Sequence, residues 1–279
     1  MDRDDLHVLE YAQPAAVWTE ALPLGDGRHG AMCFGGTRTT RIQLNDDTAW
    51  SGSPRSERRG PLIDRAHAER AIAQARRAID DGRPLDADGP LRSLQHRHSQ
   101  AYVAFAELEI DVIPARTAAR RAASATPYRR RLDLRTATHT SSGEVDGVPV
   151  IQRSWITAEH GVLVHEIEAF RPVDVVVRLS TPLRELARER GGDTQSLLLR
   201  LPSDVRPPHD RAASPVEYSD DPDDALQGAV TVTVEHDGLT HGDIVRGATR
   251  VRLILTTQTT FTRIGADPAG DARTALAVA

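Results

Sequence analysis

Apolar and polar positions alternate along most of this chain. Val230, Val232 and Val234 share one side of a run whose other side carries Thr231, Thr233 and Glu235, the period of a half-buried strand. Comparable short runs between turn signals predict strands over 31–37, 41–45, 102–113, 131–140, 148–157, 162–170, 173–180, 195–201, 229–236 and 245–260. The first two form a hairpin, and the runs around 155–169 form another that turns at 159–161. One segment has a helical period instead. Ala68, Ile72, Ala75 and Ile79 recur at spacings of four, three and four, between Pro61, suited to a first helical position, and Gly82, suited to a stop. This predicts a surface helix over 61–82 with Ile72 and Ile79 turned inward. Strands about ten residues apart predict a mostly β fold, a large antiparallel two-sheet β-sandwich with one short surface helix.

No linker divides the strand run, so residues 1–264 read as one domain and 265–279 as the start of a linker helix. Two stretches stand apart. Residues 115–125 are rich in Ala and Arg, and the five prolines of 202–224 predict a lid, a binding loop or a mobile segment.

Composition narrows the classes of function. The chain of 279 residues is 39% hydrophobic and 27% charged, as globular proteins are. Its single cysteine, Cys33, excludes an intrachain disulfide framework and a Cys-cluster zinc site, and reads as a small buried hydrophobe. A net charge of −5 argues against an electrostatic nucleic-acid binder. No apolar run approaches the roughly 20 residues of a membrane helix, and residues 1–10 have no signal-peptide core, so the expected location is cytoplasmic. All 35 basic residues are arginine and Asn45 is the only asparagine. That composition fits a G/C-rich genome, under which a surviving Asn marks a position that uses its amide.

The segment 11–52 is the richest in chemistry. Gly25, Gly27 and Gly30 satisfy G-x-G-x-x-G, but a strand follows them where a dinucleotide site needs a helix, so the nucleotide reading fails. They mark a tight turn instead. Asp26 within it either caps the turn's own N–H groups or presents a carboxylate beside a sugar. Elsewhere the signals are weak. His96 and His98 lack a third ligand at metal spacing, so no metal or cofactor is expected. Asp46 and Asp47 are adjacent on a strand and point to opposite faces. Residues 129–131 read as solvated arginines on a strand edge, and Ser51 has no paired His.

Read whole, this segment resembles the N-terminal domain of glycoside hydrolase family 95, the α-L-fucosidase and α-L-galactosidase family. Pro14, Ala15, Trp18, Glu20, Ala21, Leu22, Pro23, Gly25, Gly27, Arg28, Gly30, Ala31 and Met32 fit the first half of its pattern. Leu44, Asn45, Asp47, Trp50, Ser51 and Gly52 fit the second. Looser echoes follow at 102–108, 128–137 and 153–157. Departures are Asp26 for Asn, His29 for an apolar residue, Asp46 for Glu, and Ala106-Glu107 for Gly-Asp.

The resemblance implies a sandwich followed by an (α/α) barrel that carries an inverting mechanism on α-L-fucosyl or α-L-galactosyl linkages, with the paired carboxylates on the barrel. It implies no catalytic residue in this chain, which then reads as a fragment, inactive alone, that meets carbohydrate through the barrel. Trp18, Glu20, Asp26, Arg28, Asn45, Asp46 and Trp50 are the residues expected on the substrate side or the domain interface. Asn45, Asp26 and Arg28 are expected to form one polar cluster facing the barrel. The alternatives are a freestanding carbohydrate-binding module using Trp18 and Trp50 as stacking platforms, and a structural β-sandwich without ligand.

Overall fold

The computed structural model describes residues 7–60, 63–95, 98–115, 127–208 and 214–279. The first strands are β1 (Val8–Tyr11), β2 (Leu22–Gly25), β3 (His29–Gly35) and β4 (Thr39–Asp46). Two helices follow, α1 (Arg65–Asp80) and α2 (Asp88–Arg92). Then come β5 (Ala106–Pro114), β6 (Arg129–Asp133), β7 (Thr138–Val145), β8 (Val148–Ile156) and the long β9 (Leu163–Ser180). Next are β10 (Arg184–Gly191), β11 (Thr194–Arg200), β12 (Asp204–Val205) and β13 (Val216–Glu217). The last elements are β14 (Gln227–His236), β15 (Leu239–His241), β16 (Ile244–Thr259) and α3 (Ala272–Val278).

The fold is mostly β, and among the described residues fourteen strands join into one antiparallel sheet that curls into a half-barrel. The curl originates at β9. One edge of β9 pairs with β16 along most of its length, while the other edge pairs with β8 up to Ala169 and with β5 from Val173. Pro172 lies between the two partners and has no N–H for a ladder, so the edge is free to change neighbour there. Opposite this break β16 shifts register around Gly247, whose φ of +65° opens a bulge. The branches β6-β7-β8 and β2-β3-β4-β5 thus diverge from one strand and close over a shared core that includes Ile42, Phe105, Leu108, Val150, Leu197 and Leu253.

Several expectations change form. The runs 162–170 and 173–180 are one strand, β9. The run 131–140 is two, because Asp133 Oδ1 accepts the N–H groups of Arg135 and Thr136 and Ala137 takes φ +49°, a turn built from local side-chain chemistry. The charged β10 carries almost no apolar signal and forms by edge pairing to β11. The helix starts at Arg65, where the Asp64 carboxylate accepts His67 N–H, and Gly82 with φ +74° follows its end. Pro61 lies outside the described residues, as do His96, 116–126 and 209–213.

The inward face of α1 differs from the expected one. Ala71, Ala75 and Ala78 are buried, while Ile72 and Ile79 are 39% and 55% exposed. The helix packs on its own neighbourhood, with Ala75 and Ala78 against Ala87. Close approach there selects small side chains and turns the isoleucines outward. The proline-rich 202–224 stretch holds the small β12–β13 pair. Helix α3, capped by Asp271, returns to the sheet through buried Ala272 and Ala275, and Ala272 N–H donates to Gln227 Oε1.

The core contains a polar seam. Gln152 Nε2 donates to the Gly36 and Thr37 carbonyls, and its Oε1 accepts from Thr40 Oγ1 and His165 Nε2. Because Oε1 can only accept, His165 carries its proton on Nε2, and Ser154 Oγ then donates to its Nδ1 at 2.8 Å. Burial and then the charge of His139 push the His165 pKa down to about 3, which fits a neutral ring. Cys33 is buried as expected, and burial pushes its thiol up to about 12. Arg130 corrects the expectation of a solvated edge. It is 2% exposed, donates to the Gln13 and Glu20 carbonyls, and lies over the Tyr11 ring at 4.5 Å. Alternation on β6 sends its two neighbours outward and this one in.

Candidate functional site

The β2–β3 turn, the end of β4 and the end of β16 meet at one rim of the sheet. Hairpin register sets the first contact, since Gly25 faces Gly30 and Gly30 faces Asn45. Within the turn, Asp26 Oδ1 accepts the N–H groups of Arg28 and His29 at 2.8 and 2.6 Å. Its Oδ2 lies 3.0 Å from His29 Nδ1. Burial alone would raise this carboxyl, but the His29 ring and the two backbone donors outweigh it and hold the pKa at about 2. The carboxylate is thereby committed to its own turn. Gly161 of the β8–β9 turn closes against the pair, where a Cβ would meet His29 Cε1 at 2.8 Å. Only glycine allows that approach.

Arg28 reaches across to β16, where its guanidinium donates to Gln258 Oε1 at 2.7 Å, and its carbonyl accepts Asp47 N–H. Asn45 lies beside His29 and Gly30 along a small crevice. Among the described residues no hydrogen bond joins its amide to Asp26 or Arg28, so the three expected partners share a rim without a direct side-chain link.

Asp46 ends β4 facing inward, while Asp47 lies in the turn that follows and is exposed. Asp46 is fully buried and works as a clasp. Its Oδ1 accepts Thr48 N–H and Thr48 Oγ1 at 3.0 and 2.6 Å, and its Oδ2 accepts Thr257 Oγ1 at 2.9 Å. Thr48 Oγ1 in turn lies 2.5 Å from Thr259 Oγ1, which accepts Phe261 N–H at 3.2 Å. The chain Phe261–Thr259–Thr48–Asp46 ties β16 to the turn that carries Trp50.

That turn and the segment after β16 enclose a cleft of about 890 Å³. Its walls include Asp47, Trp50, Gln100, Leu226, Phe261 and Arg263. Trp50 is 44% exposed; its Nε1 donates to Asp47 O at 2.9 Å and its ring packs on Tyr102 with centroids 5.3 Å apart. The Asp47 carboxylate has no hydrogen-bond or ion-pair partner among the described residues, although its backbone N–H and carbonyl are both bonded. Its pKa is raised, first by burial and then by the charge of Asp46, with Arg28 and His29 opposing. Burial and then Asp46 and Asp47 raise Tyr102 as well.

Trp18 and Glu20 lie elsewhere. They precede β2 at the opposite end of the β2–β3 hairpin, where Glu20 Oε2 caps Ala16 N–H and Glu20 O accepts from Arg130. The structure therefore brings Asp26, Arg28, Asn45, Asp46 and Trp50 to one rim and leaves Trp18 and Glu20 off it. The sequence reading passed over Asp47, Gln100, Tyr102, Phe261 and Arg263 as site residues. Asp47 could have been found inside the matched motif, but nothing local marks Phe261 or Arg263. No group of three or more His, Cys, Asp or Glu suited to a metal occurs among the described residues. No helix among them is long and apolar enough to cross a membrane.

The family model described as "Glycosyl hydrolase family 65, N-terminal domain" matches residues 9–263. Among curated proteins, "Alpha-L-fucosidase 2" of Arabidopsis thaliana is 28% identical over 183 residues. That alignment takes in 64% of this chain and 20% of the plant protein, so the chain spans about a fifth of that relative's length. Among solved structures, one named as a candidate kojibiose phosphorylase from the human microbiome aligns with a TM-score of 0.42 at 9% identity. It covers 92% of this chain and 33% of that one.

Proposed function

Because the chain belongs to the glycosyl hydrolase family 65 N-terminal domain family, we propose that it is the N-terminal β domain of a glycosidase that cleaves α-L-fucosyl or α-L-galactosyl linkages with inversion. In this reading 1–264 is the domain, 265–279 leads out of it, and the reacting carboxylates belong to a helical barrel elsewhere in the whole protein. The observation that carries it is the gathering of the motif residues Arg28, Asn45 and Trp50, with Asp26 and Asp46 at two positions where the chain departs from the motif, at one rim beside an open cleft. The plant fucosidase relative and the family 95 pattern in the sequence favour the fucosyl and galactosyl choice.

Inversion needs an acid and a base roughly 6.5–9.5 Å apart. The rim does not offer such a pair, since Asp26 is spent on its own turn and Asp46 on Thr48 and Thr257. What the rim can do is order a wall. Arg28 and Gln258 brace the β2–β3 turn against β16, and Trp50 presents a fixed aromatic surface.

The test compares the whole protein with this 279-residue chain on an aryl α-L-fucoside. The whole protein turns over and the chain alone does not. Turnover by the purified chain, abolished by a substitution within it, would place the chemistry here and sink the reading.

A further inference from the structure

The Trp50 cleft has features of a ligand site that the rim's structural bonds do not use. Its volume falls inside the roughly 300–1,000 Å³ of small-molecule sites. One wall is the Trp50 indole, immobilised by its Nε1 bond to Asp47 O and by the Tyr102 ring. Phe261, Leu226 and Ile264 supply apolar surface around it. Two charged groups, the Asp47 carboxylate and the Arg263 guanidinium, also line it, and neither has a hydrogen-bond or ion-pair partner among the described residues. Gln100 uses its Nε2 on Ser53 O. An aromatic face beside an unclaimed acceptor and an unclaimed donor is the chemistry that holds a sugar ring, with C–H groups on the indole and hydroxyls on the charges.

We propose that this cleft is a binding subsite, formed within this chain alone, for a pyranose with an unbroken C3–H, C4–H, C5–H face, of which α-L-fucosides are the type. The ligand class rests on the glycosidase reading above; the site itself rests on the cleft. In an α-L-fucoside the axial O4 leaves those three hydrogens on one side, free to lie on Trp50. The C6 methyl then faces Leu226 or Ile264, and the hydroxyls reach Asp47 and Arg263. A glucoside has an equatorial O4 and lacks that face. The Phe261–Thr259–Thr48–Asp46 chain makes the two walls one unit, so the site is preorganised.

The experiment is an NMR titration of the 15N-labelled chain with methyl α-L-fucopyranoside and, separately, methyl α-D-glucopyranoside. The three indole N–H signals are assigned by single Trp→Phe variants. The Trp50 signal is expected to shift saturably with the fucoside, with at least about tenfold weaker response to the glucoside. Asp47→Asn and Arg263→Gln, which leave the indole in place, should each weaken binding by about fivefold, whereas Trp18→Phe should not. No fucoside shift at Trp50, or equal response to both sugars, overturns the subsite. The whole protein separates the two ideas. If it hydrolyses α-L-fucosides while the chain binds none, the subsite falls and the glycosidase reading stands. If the chain binds fucoside with the stated preference while the whole protein hydrolyses no fucoside, the activity falls and the subsite stands.

Discussion

Asp46→Ala tests whether the rim is held by one buried carboxylate. Asp46 accepts three hydrogen bonds, from Thr48 N–H, Thr48 Oγ1 and Thr257 Oγ1, with no exposure to solvent. Truncation leaves these donors without their acceptor. The Thr48 hydroxyl has an alternative partner 2.5 Å away in Thr259, so its loss is largely recovered. The Thr48 N–H and the Thr257 hydroxyl have no alternative acceptor among the described residues of the rim, and each buried orphan costs about 1–3 kcal/mol. The sum is about 4 kcal/mol, to which the small cavity adds little. Asp46→Asn keeps one acceptor oxygen toward Thr48 and offers an NH2 to the Thr257 oxygen, so its cost falls to about 1–2 kcal/mol. Urea unfolding followed by tryptophan fluorescence reads both. With a slope of about 3 kcal/mol per M, the alanine variant should unfold about 1.3 M earlier. A loss below about 1 kcal/mol for Asp46→Ala, or equal losses for the two variants, would show that the carboxylate does not clasp β4 to β16.

Two further outcomes follow from the polar seam. Burial, with the charge of Arg130 adding to it, holds His139 down to about 4, and His165 lies at about 3, against 6.5 for the free ring. The unfolded chain therefore takes up protons first, so the stability these rings contribute is full above about pH 6.5 and lost as pH falls toward 4 and 3. Between pH 7 and 5 each should cost about 2 kcal/mol, and His165→Gln should flatten the urea midpoint across that range by its share. An unchanged slope would mean the ring is not buried neutral. At Gly36, φ is +130° and a Cβ would sit 2.1 Å from Thr39 O. Its carbonyl also accepts from Thr40, Ser141 and Gln152. Gly36→Ala should cost about 3 kcal/mol, while Gly192→Ala, with positive φ but open space around it, should cost about 1 kcal/mol. Equal melting-temperature losses would refute the steric argument.

Local chemistry was readable from the sequence wherever the cause lay within a few residues. Alternation in 229–236 gave β14, Gly82 gave the end of α1, and the Gly25–Gly30 spacing gave the turn that Asp26 caps. The forty-residue motif also pointed to a glycoside hydrolase N-terminal domain, although to family 95 where the matching family model is that of family 65. The same local rules could not say what stands behind each face. The period in α1 placed Ile72 and Ile79 correctly on one stripe, but only the packing against Ala87 decided that the alanine stripe is the buried one. Arg130 reads like its two neighbours until the carbonyls of Gln13 and Glu20 are brought to it across more than a hundred residues. Asp46 reads like Asp47 until Thr257 arrives from β16, 211 positions away. Strand period and turn residues fix which way a side chain points, because those are properties of the local backbone. Whether it then meets solvent, a partner or a ligand cleft depends on which strand β9 pairs with on each side of Pro172, and only the assembled sheet decides that.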